Sequence, residues 1–285
     1  MIQGDIPSDR VPLGPMELRI TTAIDGVLAV VASVAMLAWV FGRPLFYTPN
    51  APVLSAFTAF SLLLMVLVRQ ARLHLETWPI ALSLAMTGLV LGGNASSIVM
   101  LATMPAKLWE TFSGVVLTSS MTSLGLVLFC LYDFVIALRE TPQSPLLMDD
   151  LLIHLALVPG GVSLLGYLLG NPTYLSIHAD PRVGISLFEM ALLGLYAAGA
   201  IISNPRLFLW RFLAAGWTNR LVFAGLFANQ FVAPLVVALV FAPPGATGPG
   251  VELFAMLAGV VTTVTFLLLQ ARVARRQPLS GGTPP

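Results

Sequence analysis

Charge, cysteine and histidine are all scarce in this chain. Only 9% of its 285 residues are charged, whereas a soluble domain carries roughly 25%. The chain therefore has too few charged residues to cover a surface that faces water, and we expect the surface of the folded protein to face lipid. The net charge of +1 gives no basic field that would attract nucleic acid, so we expect no nucleic-acid partner.

The few cysteines and histidines restrict the chemistry further. Cys130 is the only cysteine, so neither a disulfide framework nor a CxxC metal or redox pair can form, and a buried apolar thiol is expected. His74, His154 and His178 show no HxxxH or HExxH spacing, which metal sites on helices would need. No Ser/His/Asp set has a recognisable catalytic context. We therefore predict no metal, no cofactor and no catalytic residue, and a membrane-embedded enzyme is a weak third option.

Hydrophobic sequence is abundant, with 57% hydrophobic residues and a mean hydropathy of +0.90. A bilayer core of about 30 Å needs about 20 apolar residues per helix. Eight runs suit this length: 20–41, 51–68, 78–103, 117–138, 151–169, 185–203, 221–241 and 251–270. Because the runs are continuously apolar rather than alternating, they predict helices and not barrel strands. The first run is longer than the apolar part of a signal peptide, so we expect an uncleaved span.

The basic residues predict how the spans are oriented. If the N-terminus is cytoplasmic, all 14 basic residues except Arg43, Lys107 and Arg182 fall on the cytoplasmic side. This bias predicts eight spans with both termini cytoplasmic. We expect a multi-pass protein of the cell inner (plasma) membrane. The chain then divides into a cytoplasmic segment (1–19), an eight-helix membrane domain (20–270) and a basic, flexible cytoplasmic tail (271–285).

A repeat of one helical hairpin is visible in the even-numbered spans. Their outer starts align at nearly equal spacing on Thr58, Thr122, Glu189 and Ala255. Arginines follow three of these anchors at one common distance, at positions 139, 206 and 272. Any series of similar hairpins would end in positive charge, so this explanation stays open beside duplication. Repetition at a fixed period favours parallel duplication, and we predict an all-α polytopic membrane protein built from four repeated helical hairpins.

The same pattern resembles a known group of membrane regions. A small or hydroxyl residue at the outer start, a Leu/Phe/Gly-rich helix and a cytoplasmic arginine are similar to the multi-spanning N-terminal sensor regions of bacterial histidine kinases and diguanylate cyclases. The match is best over residues 149–240, which begin DDLLIHLALVPGGVSLLGYLLG, and looser over 51–148. In that family the last span continues into a PAS, kinase or cyclase domain, whereas the final LLLQARVARRQPLSGGTPP contains no kinase His box, nucleotide-binding glycine motif or GGDEF-like run.

The resemblance implies a sensory or signal-transducing membrane module that lacks its own output domain. Its implied partners are the lipid bilayer and a cytoplasmic kinase or cyclase effector, either encoded separately or fused in the parent chain, and a homodimer is a compatible assembly. A small-molecule or ion transporter or channel is the alternative. It would need a continuous polar path, yet Asp133 and Glu189 are expected toward opposite membrane faces with mostly Leu, Val and Ala between them.

Ionisable groups inside spans point to functional positions, since each costs roughly 2.5 to 3.5 kcal/mol at a helix centre. Asp25 lies near the start of the first span, and we expect its side chain to reach the cytoplasmic headgroups. Asp133 precedes Arg139 by six residues in CLYDFVIALRE and is expected to have a polar partner inside the bundle, with a proton relay as the alternative. Glu189 stands where two other copies of the repeat have threonine, so it is a candidate ligand or ion contact.

Two amides and one tryptophan complete the candidate ligand-binding set. Asn94 lies in LGGNASSIVM and Gln230 precedes Pro234 in the seventh span, and each suits either a hydrogen bond between helices or a polar ligand pocket. Trp109 is expected in an aromatic belt, or alternatively as a cap over an extracellular pocket. The candidate set is therefore Glu189, Asn94, Gln230, Asp133 and Trp109.

The stretch SNPRLFLWRFLAAGWTNR, residues 203–220, is the most basic predicted inner connector. If it is helical after Pro205, its apolar residues share one face and Arg211 flanks that face, while Arg206 caps the sixth span and Arg220 opens the seventh. Such a segment suits the lipid interface, with charged groups at the headgroups. We predict that Arg206, Arg211 and Arg220 contact anionic lipid or a cytoplasmic partner.

Overall fold

Helices make up all of the regular structure in the described part of the chain. The computed structural model describes residues 13–45, 52–75, 80–103, 118–137, 147–171, 174–175, 184–204, 207–241 and 251–276. In chain order the helices are α1 (Pro15–Val40), α2 (Ala56–His74), α3 (Ile80–Thr103), α4 (Ser120–Ala137), α5 (Leu147–Leu169), α6 (Leu187–Ile202), α7 (Phe208–Ala214), α8 (Trp217–Phe241) and α9 (Val251–Arg276).

The predicted class of all-α membrane protein is confirmed. Seven of the described helices, all except α6 and α7, are long and apolar enough to cross a bilayer. The sixth predicted span is helical as α6 but has only 16 residues, fewer than the roughly 20 that a bilayer core needs. The eight-span count therefore stays a prediction. Helix α1 begins before predicted residue 20 and α9 continues past residue 270, since a helix need not end where its apolar run does.

Serine caps determine where α2, α4 and α6 begin. The side chains of Ser55, Ser119 and Ser186 each accept a hydrogen bond from the backbone N–H three residues later, at 2.9, 3.0 and 3.1 Å. Those three later residues are the repeat anchors Thr58, Thr122 and Glu189. Such caps satisfy amides that a helix start leaves without a backbone partner. The fourth anchor, Ala255, lies inside α9 and has glutamate rather than serine three positions earlier.

Helices α1 to α6 form a closed ring. Each packs against the next helix in the chain, and α6 returns to α1. Helix α4 also contacts α2 and α6, so the even-numbered helices meet in the middle and the odd-numbered helices surround them. Accordingly, 50% of the central residues of α2 and α4 are buried, against 22% in α1 and 28% in α3, while α5, which also contacts α8 and α9, reaches 44%.

Helices α8 and α9 form a hairpin at the side of this ring. They pack along each other, and they reach the ring through α5 and the short helix α7. On the α5 side, Met256 packs with Val162 and Leu165. Within the hairpin the Gln230 amide donates to the Thr263 hydroxyl at 2.8 Å, and Gly259 lets the backbone of α8 approach closely, because a Cβ at that position would lie 3.1 Å from the Gln230 Cα.

Candidate functional site

The starts of α2, α4 and α6 converge on one carboxylate. We call Ser55, Thr58, Thr118, Thr122 and Glu189 the cap cluster. The Thr58 hydroxyl donates to Glu189 Oε1 at 3.1 Å, and the Ser55 and Thr58 hydroxyls lie 2.8 Å apart. The Thr118 hydroxyl is within 3.4 Å of both, and Thr122 also bonds the Glu189 carboxylate. Helices that are distant in sequence are therefore tied together through Glu189.

Backbone and side-chain groups of the protein itself donate hydrogen bonds to the Glu189 carboxylate. Its Oε2 accepts from the Ser186 backbone N–H at 3.1 Å, while the Ser186 side chain accepts from the Glu189 N–H, which together make a capping box. The Ser55 N–H also approaches Oε1, at 3.5 Å. Positive helix starts favour a negative group, which offsets part of the cost of burying this carboxylate where α2, α4 and α6 meet. Its environment makes Glu189 a joint between helices.

A second polar group lies further along the same helices and contains a buried ion pair. We call Asp25, Arg69, Arg72, Asp133 and Tyr196 the ionic cluster. Arg69 donates from Nε to Asp25 Oδ2 at 3.0 Å, and its Nη2 forms a second, shorter contact with Oδ1. Asp25 is 1% exposed and Arg69 4% exposed. The prediction that Asp25 reaches the headgroups is therefore wrong, because its partner is Arg69 on the neighbouring helix.

Arg69 also binds α6. Its Nη1 donates to the Tyr196 carbonyl oxygen at 3.0 Å, and its guanidinium lies 4.2 Å from the centre of the Tyr196 ring. Gly199 leaves room for the Arg69 guanidinium, because a Cβ at that position would lie 2.7 Å from Arg69 Nη2. One arginine thus joins α1, α2 and α6 by charge, hydrogen bonding and ring stacking.

Asp133 extends the ionic cluster to α4. It accepts from Arg72 Nη2 at 2.7 Å and from the Tyr196 hydroxyl at 2.8 Å. A polar partner inside the bundle was expected, and the partner is Arg72 of α2; the nearby Arg139 lies outside the described residues. Next to this group, the Asn204 amide donates to the Tyr132 hydroxyl at 3.1 Å.

Apolar side chains separate the two clusters. At 1.5 Å per residue, Thr58 and Arg69 are about 16 Å apart along α2, and Glu189 and Tyr196 about 10 Å apart along α6. Most buried side chains between these levels are apolar, such as Leu62, Met65, Leu126, Phe129, Leu192 and Leu193, and the buried hydroxyls of Ser61 and Ser123 lie among them. Among the residues that the structure describes, the clusters are therefore two polar layers, and the layer between them is mainly hydrophobic.

The two predicted amides join helices. Asn94 is fully buried, and its amide donates to the Ser61 hydroxyl at 3.2 Å and to the Val90 carbonyl at 2.9 Å. It thereby links α3 to α2, beside Gly93, which leaves room for the Phe57 ring. Gln230 serves α8 and α9 in the same way. The structure does not bring Asn94 or Gln230 into the two clusters, and Trp109 lies outside the described residues.

The basic connector contains the short helix α7, which is anchored by an aspartate that was not predicted. The Asp150 carboxylate of α5 accepts from the backbone N–H groups of Phe208 and Leu209 at 3.1 and 2.9 Å. Leu209 is buried, whereas Arg211 and Arg220 are exposed. The helical and amphipathic character expected after Pro205 is thus present in α7, and Arg206 lies outside the described residues.

Sequence reasoning missed Arg69, Tyr196 and the serine caps as members of these layers. Arg69 was interpreted as a topogenic charge, because an arginine near a span end usually faces the headgroups. A signal for the caps was present, since serine stands three residues before each of three repeat anchors, in SAFT, SSMT and SLFE, and this spacing is typical of helix starts. Tyr196 gave no signal within its apolar run.

Comparison with known proteins finds no family model, no curated protein and no solved structure that matches this chain. The resemblance to sensor regions of histidine kinases and diguanylate cyclases therefore stays a prediction from the sequence.

Proposed function

We propose that this chain is a membrane-embedded signal-transduction module whose output is delivered by a kinase or cyclase effector. It crosses the cell inner membrane eight times as four hairpins, with both termini in the cytoplasm. The observation that carries the proposal is the contrast between the α1–α6 ring, which is tied by two buried polar layers, and the α8–α9 hairpin, which joins the ring mainly through α5 and α7.

The hairpin is suited to moving as one unit. Gln230 and Thr263 hold α8 to α9, whereas the contact with the ring is mainly the small cluster around Leu165 and Met256. A stimulus that changes how α2, α4 and α6 pack would be passed through α5 to the hairpin. A signal of this kind requires two packings of similar free energy that the stimulus binds or solvates differently.

Helix α9 is the natural output element. Its 26 residues extend about 39 Å, which exceeds the 30 Å of a bilayer core. Its last turns carry Arg272, Arg275 and Arg276, and the exposed Arg211 of α7 lies on the connector that enters the hairpin. A cytoplasmic effector would contact this basic end, with Arg206 and Arg220 as further contacts of effector or anionic lipid.

The interior supports a transporter less well. A transported ion or polar solute needs polar groups along its path, and the hydrophobic layer between the cap cluster and the ionic cluster contains leucine, methionine and phenylalanine. The polar atoms of both clusters are also paired largely with each other. Transport of a solute by this chain would therefore contradict the signalling proposal.

Orientation can be tested with single cysteines in a Cys130→Ala background. A membrane-impermeant maleimide on intact spheroplasts should label Arg43→Cys, after α1, and should label Leu75→Cys and Arg272→Cys only once the membrane is opened. All three positions are exposed. The reverse pattern would invert the topology, and labelling of Arg43→Cys and Arg272→Cys from the same side would reject the eight-span arrangement.

Signalling can be tested by the movement of α9. Spin labels at Leu75→Cys and Arg272→Cys in nanodiscs report the distance between the ends of α2 and α9. Tyr196→Phe removes only the hydroxyl that binds Asp133, and we expect it to shift this distance distribution; Thr262→Val, whose hydroxyl bonds its own helix at Ala258, is the matched control.

In native cells, a photo-cross-linker at Arg211 should capture a protein with a kinase or cyclase domain, and one at the lipid-facing Val99 should not.

The same preparations provide the opposing result. If the Tyr196→Phe distribution matches that of the parent protein, and proteoliposomes take up a solute in a manner that Glu189→Gln abolishes, the chain is a transporter and the signalling proposal fails.

A further inference from the structure

One polar side chain faces outward in the middle of a membrane helix. Asn229 lies midway along α8 and is exposed. It makes no hydrogen bond with any residue in the described parts of the chain. The adjacent Gln230 points the other way and bonds Thr263 inside the hairpin. Two neighbouring amides on one helix therefore differ: one has a partner in this chain and the other is exposed on the outer surface of the helix.

An unpaired amide in hydrocarbon is unfavourable. Hydrocarbon offers no donor or acceptor, so burial of an amide in it costs several kcal/mol unless a hydrogen bond forms. The exposed hydroxyl of Thr262 avoids this cost by bonding the Ala258 carbonyl of its own helix, which a short hydroxyl side chain can do. Asn229 shows no such bond in the structure. It therefore requires a polar partner from beyond the described residues of this chain.

The surface around Asn229 is shaped for another helix. The exposed residues that share its face at intervals of three and four are Val222, Gly225, Val232, Val236 and Leu239. Any lipid-facing side of a helix has this spacing, so the spacing alone does not identify an interface with another helix. Gly225 lies one turn before Asn229 on this face with nothing within 4 Å of its Cβ position, so a second backbone can approach closely beside the amide. Among the described residues of α8, only Gln230 and Pro234 have buried side chains.

We propose that two copies of this chain pair through this face of α8, with the two Asn229 side chains hydrogen-bonded to each other. Copies inserted in one orientation are related by a twofold axis along the membrane normal, which places identical residues at the same depth. An asparagine amide has both donors and an acceptor, so it complements its own copy. A single polar asparagine in an apolar helix seam fixes register and pairing in this way. The dimer does not depend on whether the chain signals or transports.

Disulfide trapping in native-like membranes tests the geometry. In the Cys130→Ala background, Gly225→Cys and Val232→Cys lie on the proposed face, one turn to either side of Asn229. Under mild oxidation each should form a homodimeric disulfide. Val99→Cys on α3 is equally exposed to lipid and should not. Equal trapping at all three positions would indicate random collision and overturn the proposal, as would trapping of Gly225→Cys with a different membrane protein instead of itself.

Subunit counting in bilayers at graded dilution tests the role of the amide. We expect Asn229→Leu to weaken the dimer roughly 5- to 30-fold, which corresponds to the loss of interhelical hydrogen bonds in a membrane. Asn229→Gln keeps an amide and should retain much of the affinity, and Ser96→Leu on the exposed face of α3 should have no effect. A parent protein that stays monomeric at every density, or a dimer of unchanged affinity in Asn229→Leu, would refute the interface.

Discussion

The Thr58 hydroxyl donates a hydrogen bond of 3.1 Å to the Glu189 carboxylate, although the two residues are 131 positions apart. Both occupy the third position of a serine-capped helix, and both were aligned as equivalent repeat positions from the sequence. Positions related along the chain thus meet in space. Glutamate at one of them lets a single side chain accept from the caps of its neighbours.

Removal of the Glu189 carboxylate should destabilise the ring. Glu189→Leu removes the carboxylate to which the Thr58 hydroxyl and the Ser186 N–H donate and leaves the Ser186 N–H buried without that acceptor, and we expect the free energy of unfolding to fall by about 2 to 5 kcal/mol. Glu189→Gln retains one carbonyl acceptor and should cost about 1 to 2 kcal/mol. Unfolding in mixed micelles at increasing SDS fraction measures both. Glu17→Gln in the first turn of α1 is the control, and a loss for Glu189→Leu no greater than for that control would contradict the cap cluster as a joint.

The Asp25–Arg69 ion pair should behave as a coupled unit. Arg69→Leu leaves a buried aspartate without its cation, and we expect a loss of about 3 to 5 kcal/mol in the free energy of unfolding. The double variant Asp25→Leu/Arg69→Leu should recover much of that loss, because no buried charge stays unpaired. A double-mutant cycle measures the coupling. Simple additivity of the two single losses would show that the pair contributes no interaction energy.

Gly199 and Gly194 provide a matched test on α6. A methyl group at Gly199 would meet the Arg69 guanidinium at 2.7 Å, whereas nothing lies within 4 Å of a Cβ at Gly194. Gly199→Ala should therefore displace Arg69 and destabilise the protein by about 1 to 3 kcal/mol. Gly194→Ala should be neutral or stabilise by up to about 1 kcal/mol, since alanine favours helix. Equal unfolding curves for the two variants would argue against the packing of Arg69 on α6.

Asp150 should control the order of α7 more than the stability of the whole protein. Asp150→Ala removes the acceptor for the Phe208 and Leu209 amides, and loss of a cap costs about 0.5 to 2 kcal/mol. Because this loss falls on a seven-residue helix, we expect faster hydrogen exchange across residues 208–214. Exchange in α2 should be unchanged and serves as the internal control. Unaltered exchange in α7 would mean that packing of Leu209 alone holds the helix.

The helical membrane class followed from the sequence because length and hydropathy alone determine it. The apolar runs locate the seven long helices, since each must satisfy its backbone in lipid whatever its neighbours are. The ring closure between α1 and α6 was not predictable, because it depends on which faces meet. The same holds for Asp25, whose partner Arg69 is 44 residues away and was interpreted as a flanking charge.

Among the candidate site residues, those with an unusual chemical type were the easiest to find. Glu189, Asp133, Asn94 and Gln230 stand out in apolar runs, and each makes a buried hydrogen bond in the structure. What pairs with each could not be predicted, because the partners are common residues such as Thr58, Tyr196 and Ser61.

The Asp25–Arg69 bond also affects how the protein is made. Helix α1 leaves the ribosome before α2, so Asp25 has no cation until Arg69 has been synthesised. An aspartate in the bilayer is costly, and we expect the insertion machinery to hold α1 until α2 arrives and then to release the two helices together. The Tyr196 contact, which comes from the sixth helix, forms only later. In this protein the order of synthesis therefore sets a delay between the entry of the first helix and the closure of the ring.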